Sequence, residues 1–202
     1  IYNIAIKGNF DECQKIVKEM FSDNNFRKRI NMSGVNSINW ARIICQVVYY
    51  FYTYFKLNKK TNFAVPTGNF GDVYAGFIAK QMGLPMGKLV VATNENDILS
   101  RVINSGTYAP HEVKSTLTPS MDIQIASNFE RLIFDISGQN DTRVNDLMNN
   151  LKKNGSFSLN SKEKNLIKEN FKAYKVDDNE TIRIIRDFFN NYGFILDPHT
   201  AT

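Results

Sequence analysis

An α/β fold built on a parallel sheet is predicted by three observations. First, strand-like and helix-like patterns alternate: FAVP at 63–66 precedes one helical stretch, and KLVVAT at 88–93 precedes another. That order marks βαβ units. Second, LVVA within the latter run is apolar throughout, as a buried parallel strand must be. Third, the joint between the first strand and its helix reads Thr67-Gly68-Asn69-Phe70-Gly71-Asp72, a glycine-rich strand-to-helix turn.

Taken in order, residues 1–6 alternate loosely and predict a strand, and Asp11 predicts an N-cap for a helix to about residue 21. NMSGVNS at 31–37 is a loop of capping residues. From Ile38 the apolar positions Ala41, Cys45, Val48, Tyr52 and Phe55 recur at helical spacing and predict a long helix. A strand is expected at 63–65, and a helix over 72–82 closed by Gly83. After the strand at 88–93, a helix follows over about 96–104, then an irregular polar run at 105–126. Ser127-Asn128-Phe129-Glu130 fits a capping box opening another helix. Helices are expected over about 140–153, 162–173 and 179–192. The Lys/Asn-rich stretch within them predicts a surface helical insertion over about 140–175, inside a single unit spanning 1–202.

Composition narrows the function classes. A chain of 202 residues that is 43% hydrophobic can bury a core. The formal charge of +5 comes from scattered lysines rather than a dense basic run, which argues against a nucleic-acid surface. Cys13 and Cys45 have no CxxC spacing, and the histidines are only His111 and His199, so neither a disulfide framework nor a metal site is expected. That cysteine usage fits a reducing, cytoplasmic setting. The most apolar segment, IICQVVYYFYTYFKL, is shorter than the roughly 18–20 residues that span a bilayer. The start at Ile1 and the end at LDPHTAT predict a piece of a longer polypeptide, one that would expose sheet edges and apolar faces when made alone.

Four polar clusters are candidates for chemistry. The glycine turn Gly68, Asn69, Phe70, Gly71 and Asp72 presents backbone N–H groups and a helix N-terminus to a ligand, which makes a phosphate cradle. It reads equally as a tight βα connection whose Asp72 favours the helix start. Neither GxxxxGK[ST] nor GxGxxG is present. In NSINWAR, Asn39 and Arg42 share a helix face and, with Asn36 and Ser37, can grip an anion; helix capping is the plainer role. Asn94, Asp97 and Arg101 follow the buried strand, where open α/β sheets bind ligands, though a simple N-cap explains them as well. The loop LTPSMDI at 117–123 is functional or a connector, and His199 is a possible acid–base group or a structural residue.

Five stretches together resemble the threonine synthase family, in its bacterial and fungal branch: NSINWARI, VPTGNFGDVYAGFIAKQMGLP, ATNENDILSR, TPSMDI with SNFERL, and LDPHTA. They stand in the family's order and reach from about Ser33 to Ala201. The resemblance implies a three-layer parallel-sheet fold like that of tryptophan synthase β, fold type II of the pyridoxal-phosphate enzymes, here as a partial copy. It implies most of the catalytic domain that binds pyridoxal 5'-phosphate. The implied activity is conversion of O-phospho-L-homoserine and water to L-threonine and phosphate, the last step of threonine biosynthesis. It assigns Gly68, Asn69, Phe70, Gly71 and Asp72 to the loop that holds the cofactor's phosphate, with Asp72 ordering the turn and helix start rather than touching the anion, since two negative groups would repel. Combined with the chemistry of the residues, it makes Ser37, Asn39 and Arg42 substrate-binding candidates, with Asn94, Asp97 and Arg101 behind them. The family's Schiff-base lysine lies in a segment resembling HGPTLAFKD, which this sequence lacks; Lys7, Lys80 and Lys88 stand in other contexts. The chain alone is therefore expected to be inactive. Two alternatives share these features: a related phospholyase releasing phosphate and a keto acid, separable by product analysis, and a truncated non-catalytic binding domain, which would need a closed core.

Overall fold

The computed structural model describes residues 2–8, 10–34 and 36–202, with the backbone alone at residues 10 and 11. Residues 2–6, expected as a strand, have no regular structure, and residue 1 lies outside the described residues. Tyr2 and Ile4 are exposed and no strand pairs with them; a strand without a ladder partner has nothing to hold it. Helix α1 spans Phe10–Ser22; the cap expected from Asp11 concerns a side chain outside the description. Helix α2, Asn24–Arg29, is capped by Asp23, whose carboxylate accepts the N–H groups of Asn25 and Phe26.

Helix α3 spans Trp40–Leu57 and is followed by strand β1, Phe63–Pro66. Helix α4 covers Gly71–Gln81, and strand β2 covers Leu89–Thr93. Helix α5, Ile98–Ser105, and the short strand β3, Thr107–Tyr108, lead into the irregular run, which includes a 3-10 turn at Pro119–Met121. Helices α6, Phe129–Ile136, and α7, Asp141–Asn154, follow. The chain then forms β4, Phe157–Ser158, helix α8, Ser161–Asn170, strand β5, Phe171–Lys175, and helix α9, Asp178–Tyr192.

The main sheet is parallel in the order β1-β2-β5, with Val65 beside Val91 and Val91 beside Ala173. The expected α/β architecture is thus present, with β2 central and fully buried at Leu89 and Val91. Strands β3 and β4 form a separate antiparallel pair. One continuous core joins α3, α4, α5 and α6 to the sheet through Ile43, Val73, Leu89, Val102 and Leu132.

Three further expectations are corrected. The helix predicted over 162–173 ends at Asn170, and residues 171–175 are a strand of the main sheet. FKAYK contains good helix formers, but Phe171 and Ala173 alternate into the core and the ladder to β2 decides the conformation. The stretch 140–175 is accordingly no surface excursion: Val144, Leu147, Phe157, Ile167 and Phe171 all lie in the core. The capping box predicted at Ser127–Glu130 does not form: Asn128 is the residue at the helix start, no side chain caps α6, and the Asn128 side-chain oxygen accepts from Arg131 Nε at 3.2 Å instead. A reciprocal capping box does open α8, between Asn160 and Glu163.

Glu163 is fully buried and accepts two hydrogen bonds from Arg143, at 2.9 and 3.0 Å, and one from the Asn160 N–H at 2.8 Å. Burial alone would raise its carboxyl; the Arg143 guanidinium and the Asn160 N–H outweigh it and hold the carboxyl below its ordinary value. Its contribution is therefore complete above the unfolded carboxylate's pKa and is lost as pH falls through the lower folded value. Glu163→Ala is expected to cost about 3 kcal/mol, since it strands a partly buried guanidinium. Urea denaturation at neutral pH and near pH 3 checks this, because the penalty must shrink at the acid end.

The long helix α3 buries Ile43, Val47 and Tyr50, while Val48, Tyr49, Tyr52 and Phe55 on its other side are more than half exposed. Among the described residues nothing covers that apolar face.

Candidate functional site

At the carboxyl end of β1 the ladder continues for one more residue. The Thr67 N–H donates to the Ala92 carbonyl at 2.8 Å, and the Thr67 hydroxyl to the Val65 carbonyl at 2.5 Å. The chain then leaves the sheet as Gly68-Asn69-Phe70 and enters α4. A cleft of about 230 Å³ opens here. Its floor is the turn itself, and its walls carry Ser37, Arg42 and Gln46 from the α3 side, Ser120 and Met121 from the 3-10 turn, and His199.

Each part of the turn has a physical reason. A Cβ on Gly68 would lie 3.0 Å from the Ser120 carbonyl oxygen and 3.1 Å from Met121 Cα. A side chain there would force that backbone to give way, and glycine avoids the crowding. A Cβ on Gly71 would be 3.3 Å from the Asn128 amide nitrogen, a lesser crowding. Phe70 is the N-cap of α4 and adopts φ 64, the left-handed region that non-glycine residues enter at a cost. Its ring explains why it stays there: it is wholly buried, 5.3 Å from Phe129 and 5.8 Å from Phe171 between ring centres. A phenyl ring cannot accept a hydrogen bond from the helix start, and no side chain caps α4. The first N–H groups of that helix, with the dipole behind them, are suited to an anion in the cleft.

A second layer fixes the wall. The Asn69 amide donates to the Ser37 hydroxyl at 3.0 Å, and its carbonyl oxygen accepts the Ser127 N–H at 3.4 Å. Asn128 donates to the Ser37 carbonyl at 2.8 Å. Arg131 donates to Asn128 and to the Ile38 carbonyl, and lies 5.4 Å over the Trp40 ring. The NSINW segment is thereby fastened to the glycine turn. Asp72 accepts the Tyr50 hydroxyl at 3.3 Å, and its own carbonyl does so at 2.9 Å. Burial raises the Asp72 carboxyl above its ordinary value, the Tyr50 bond offsetting part of that. The same burial, with the carboxylate beside it, raises the Tyr50 hydroxyl.

Of the candidates read from sequence, the cleft brings together Gly68, Asn69, Phe70, Gly71, Asp72, Ser37 and Arg42, with Ser120 and Met121 of the loop at 117–123 and His199. It does not bring in the rest. Asn39 caps α3: its carbonyl oxygen accepts the Ala41 N–H at 2.9 Å and its amide donates to Gly34. Asn94 is buried and donates to Thr116, Thr118 and Asp122. Asp97 pairs with Arg101 at 2.8 Å and Lys175 at 3.3 Å, and these partners overcome burial to hold its carboxyl below its ordinary value. Arg101 also donates to the Ala109 carbonyl and to Gln124. These three residues brace the loop that carries Ser120 rather than facing the cleft. Gln46 and Thr67 were missed as site residues; the signal for Gln46 was a lone amide in an aromatic helix.

Among the described residues no cluster of three or more His, Cys, Asp or Glu could hold a metal, both cysteines are free, and no helix is long and apolar enough to cross a membrane. No family model matches the chain. Individual proteins do. A threonine synthase of Pseudomonas aeruginosa is 45% identical over 204 residues, covering 100% of this chain and 44% of the relative. The crystal structure of a PLP-bound threonine synthase from Brucella melitensis superposes with a TM-score of 0.90 at 49% identity, over 98% of this chain and 43% of the other. Maize serine racemase, at 10% identity, a TM-score of 0.59, and coverage of 92% and 49%, shares the fold alone. The chain thus spans under half the length of the relatives it matches, and over that span it is similar throughout to threonine synthases.

Proposed function

We propose that residues 68–72 hold the phosphate of pyridoxal 5'-phosphate, and that the protein carrying this chain is a cytoplasmic threonine synthase. Its reaction would convert O-phospho-L-homoserine and water to L-threonine and phosphate. The observation that carries the reading is the uncapped start of α4, opening beside two glycines onto a cleft with Ser37 and Arg42 on its wall. The Brucella relative with PLP bound, matched over 98% of this chain, supports the choice of cofactor. Residues 1–202 would make up most of the cofactor-binding catalytic domain.

When bound, the cofactor supplies the electron sink for γ-elimination and for addition of water at the β-carbon. The chain's own residues hold and orient. The N–H groups of the turn grip the cofactor phosphate, while Asp72 orders the start of α4 through its bonds to the Tyr50 hydroxyl rather than touching the anion. Ser37 and Arg42 bind the substrate's phosphate or carboxylate. Asn39, Asn94, Asp97 and Arg101 support these groups from behind. Nucleic acid and membrane play no part in this reading.

Among the described residues no lysine lines the cleft. The Lys80 amine donates to the Gly87 carbonyl near the far end of α4, and Lys88 to the Lys168 carbonyl. Residues 1–202 made alone should therefore form no L-threonine from O-phospho-L-homoserine. The protein as its source cells make it should form L-threonine and phosphate in equal amounts. Phosphate with a keto acid instead would replace the reading by the phospholyase one. Turnover by residues 1–202 alone would remove the requirement for a lysine outside them.

A further inference from the structure

One arrangement in the cleft is not used by the function proposed above. His199 Nδ1 lies 3.1 Å from Asp197 Oδ1, and the same oxygen accepts the His199 backbone N–H at 2.9 Å. On the other side of the ring, Nε2 is 2.5 Å from Ser120 Oγ. Ser120 belongs to the stretch of backbone packed against Gly68, and both Ser120 and His199 line the cleft with the glycine turn.

The hydrogens of this relay can be counted. A neutral imidazole carries one N–H. With a carboxylate at Nδ1, the proton is placed there and Nε2 keeps a lone pair. The Ser120 hydroxyl must then donate to Nε2 and has no proton for anything in the cleft. If the ring takes up a second proton from solvent, Nε2–H becomes the donor and Ser120 Oγ the acceptor. The serine proton is released and can point at an anion, which also gains a positive charge behind the serine.

We propose that Asp197, His199 and Ser120 form a proton-linked latch on the phosphate group held by the glycine turn: binding of the phosphate is coupled to uptake of one proton by His199, which turns the Ser120 hydroxyl onto the anion. The inference rests on placing a phosphate at residues 68–72. Other charged groups face the same space. Arg42 from α3 attracts the anion, while Asp72 at the start of α4 opposes it. Asp197, on the segment of His199 itself, fixes the tautomer. Ser120 is the group that contacts the ligand; His199 and Asp197 act through it as positioning residues.

The test uses the full-length protein from its source, with pyridoxal 5'-phosphate as the probe and pyridoxal as the phosphate-free control. Dissociation constants are measured by absorbance between about pH 7.5 and pH 9, where a phosphate monoester is already a dianion. The ratio of the two constants isolates the phosphate contribution. The latch predicts that this preference falls with rising pH, by up to about tenfold per pH unit, the limit for uptake of one proton. His199→Gln, which offers Ser120 an amide at every pH, should flatten the slope. Ser120→Ala should weaken the phosphate compound while leaving pyridoxal unchanged. An identical slope in the wild type and His199→Gln would overturn the latch while leaving the proposed function standing. Failure of the phosphate compound to bind at any pH would overturn the proposed function itself, and the latch with it.

Discussion

Phe70→Ala should lower stability by about 3–5 kcal/mol, the range for emptying a fully buried phenyl site. The ring lies between Phe129 and Phe171, so the loss reaches α6 and β5 together. Its removal also frees the backbone of the turn. At φ 64 any residue with a Cβ is strained, so Phe70→Gly should be more stable than Phe70→Ala by up to about 1 kcal/mol. Urea denaturation of the three forms measures both differences. If glycine proved less stable than alanine here, the packed ring would not be what holds the turn in a strained conformation.

Gly68→Ala should be the most damaging small substitution in the cleft. Its Cβ would meet the Ser120 carbonyl oxygen at 3.0 Å and Met121 Cα at 3.1 Å, both backbone atoms that cannot rotate aside. Overpacking of this kind costs about 1–3 kcal/mol. If the turn yields rather than the 3-10 loop, that cost falls on ligand affinity, which corresponds to about tenfold to a hundredfold weaker binding of pyridoxal 5'-phosphate. Gly71→Ala meets an amide nitrogen at 3.3 Å and should lose much less. Titration of the cofactor into the two full-length variants decides the point, and equal losses would mean that the contact with residues 120–121 does not set the shape of the turn.

The part of the fold that could be read in the sequence is the part where local pattern and tertiary demand agree. The alternation from Phe63 to Ser105 gave β1, α4, β2 and α5 within a residue or two, because each apolar period matches the face its element buries. Residues 2–6 have the alternation but no partner strand, and the alternation counts for nothing without one. Strand β5 was hidden for the opposite reason: FKAYK has no strong strand signature, and only the ladder to β2 and the aromatic packing around Phe171 determine it.

The cleft divides in the same way. The glycine turn was visible as a local motif. The role of Asn39 was not, since an asparagine can cap a helix or bind a ligand, and only the geometry at Ala41 and Gly34 separates the two. Asn94, Asp97 and Arg101 looked like ligand groups because they follow a buried strand; their partners, Thr116, Asp122, Lys175 and Gln124, are remote in sequence. The meeting of Ser120 with His199 joins residues 79 apart in the chain, and no local pattern predicts it.

The most direct test is a crystal structure of the full-length protein grown with pyridoxal 5'-phosphate. The cofactor phosphate should lie within about 3 Å of several backbone N–H groups from residues 68–72, in the cleft with Ser37 and Arg42 on its wall. A cofactor phosphate bound elsewhere, with the turn beside α4 facing only water, would contradict the assignment of the glycine turn and the reading built on it.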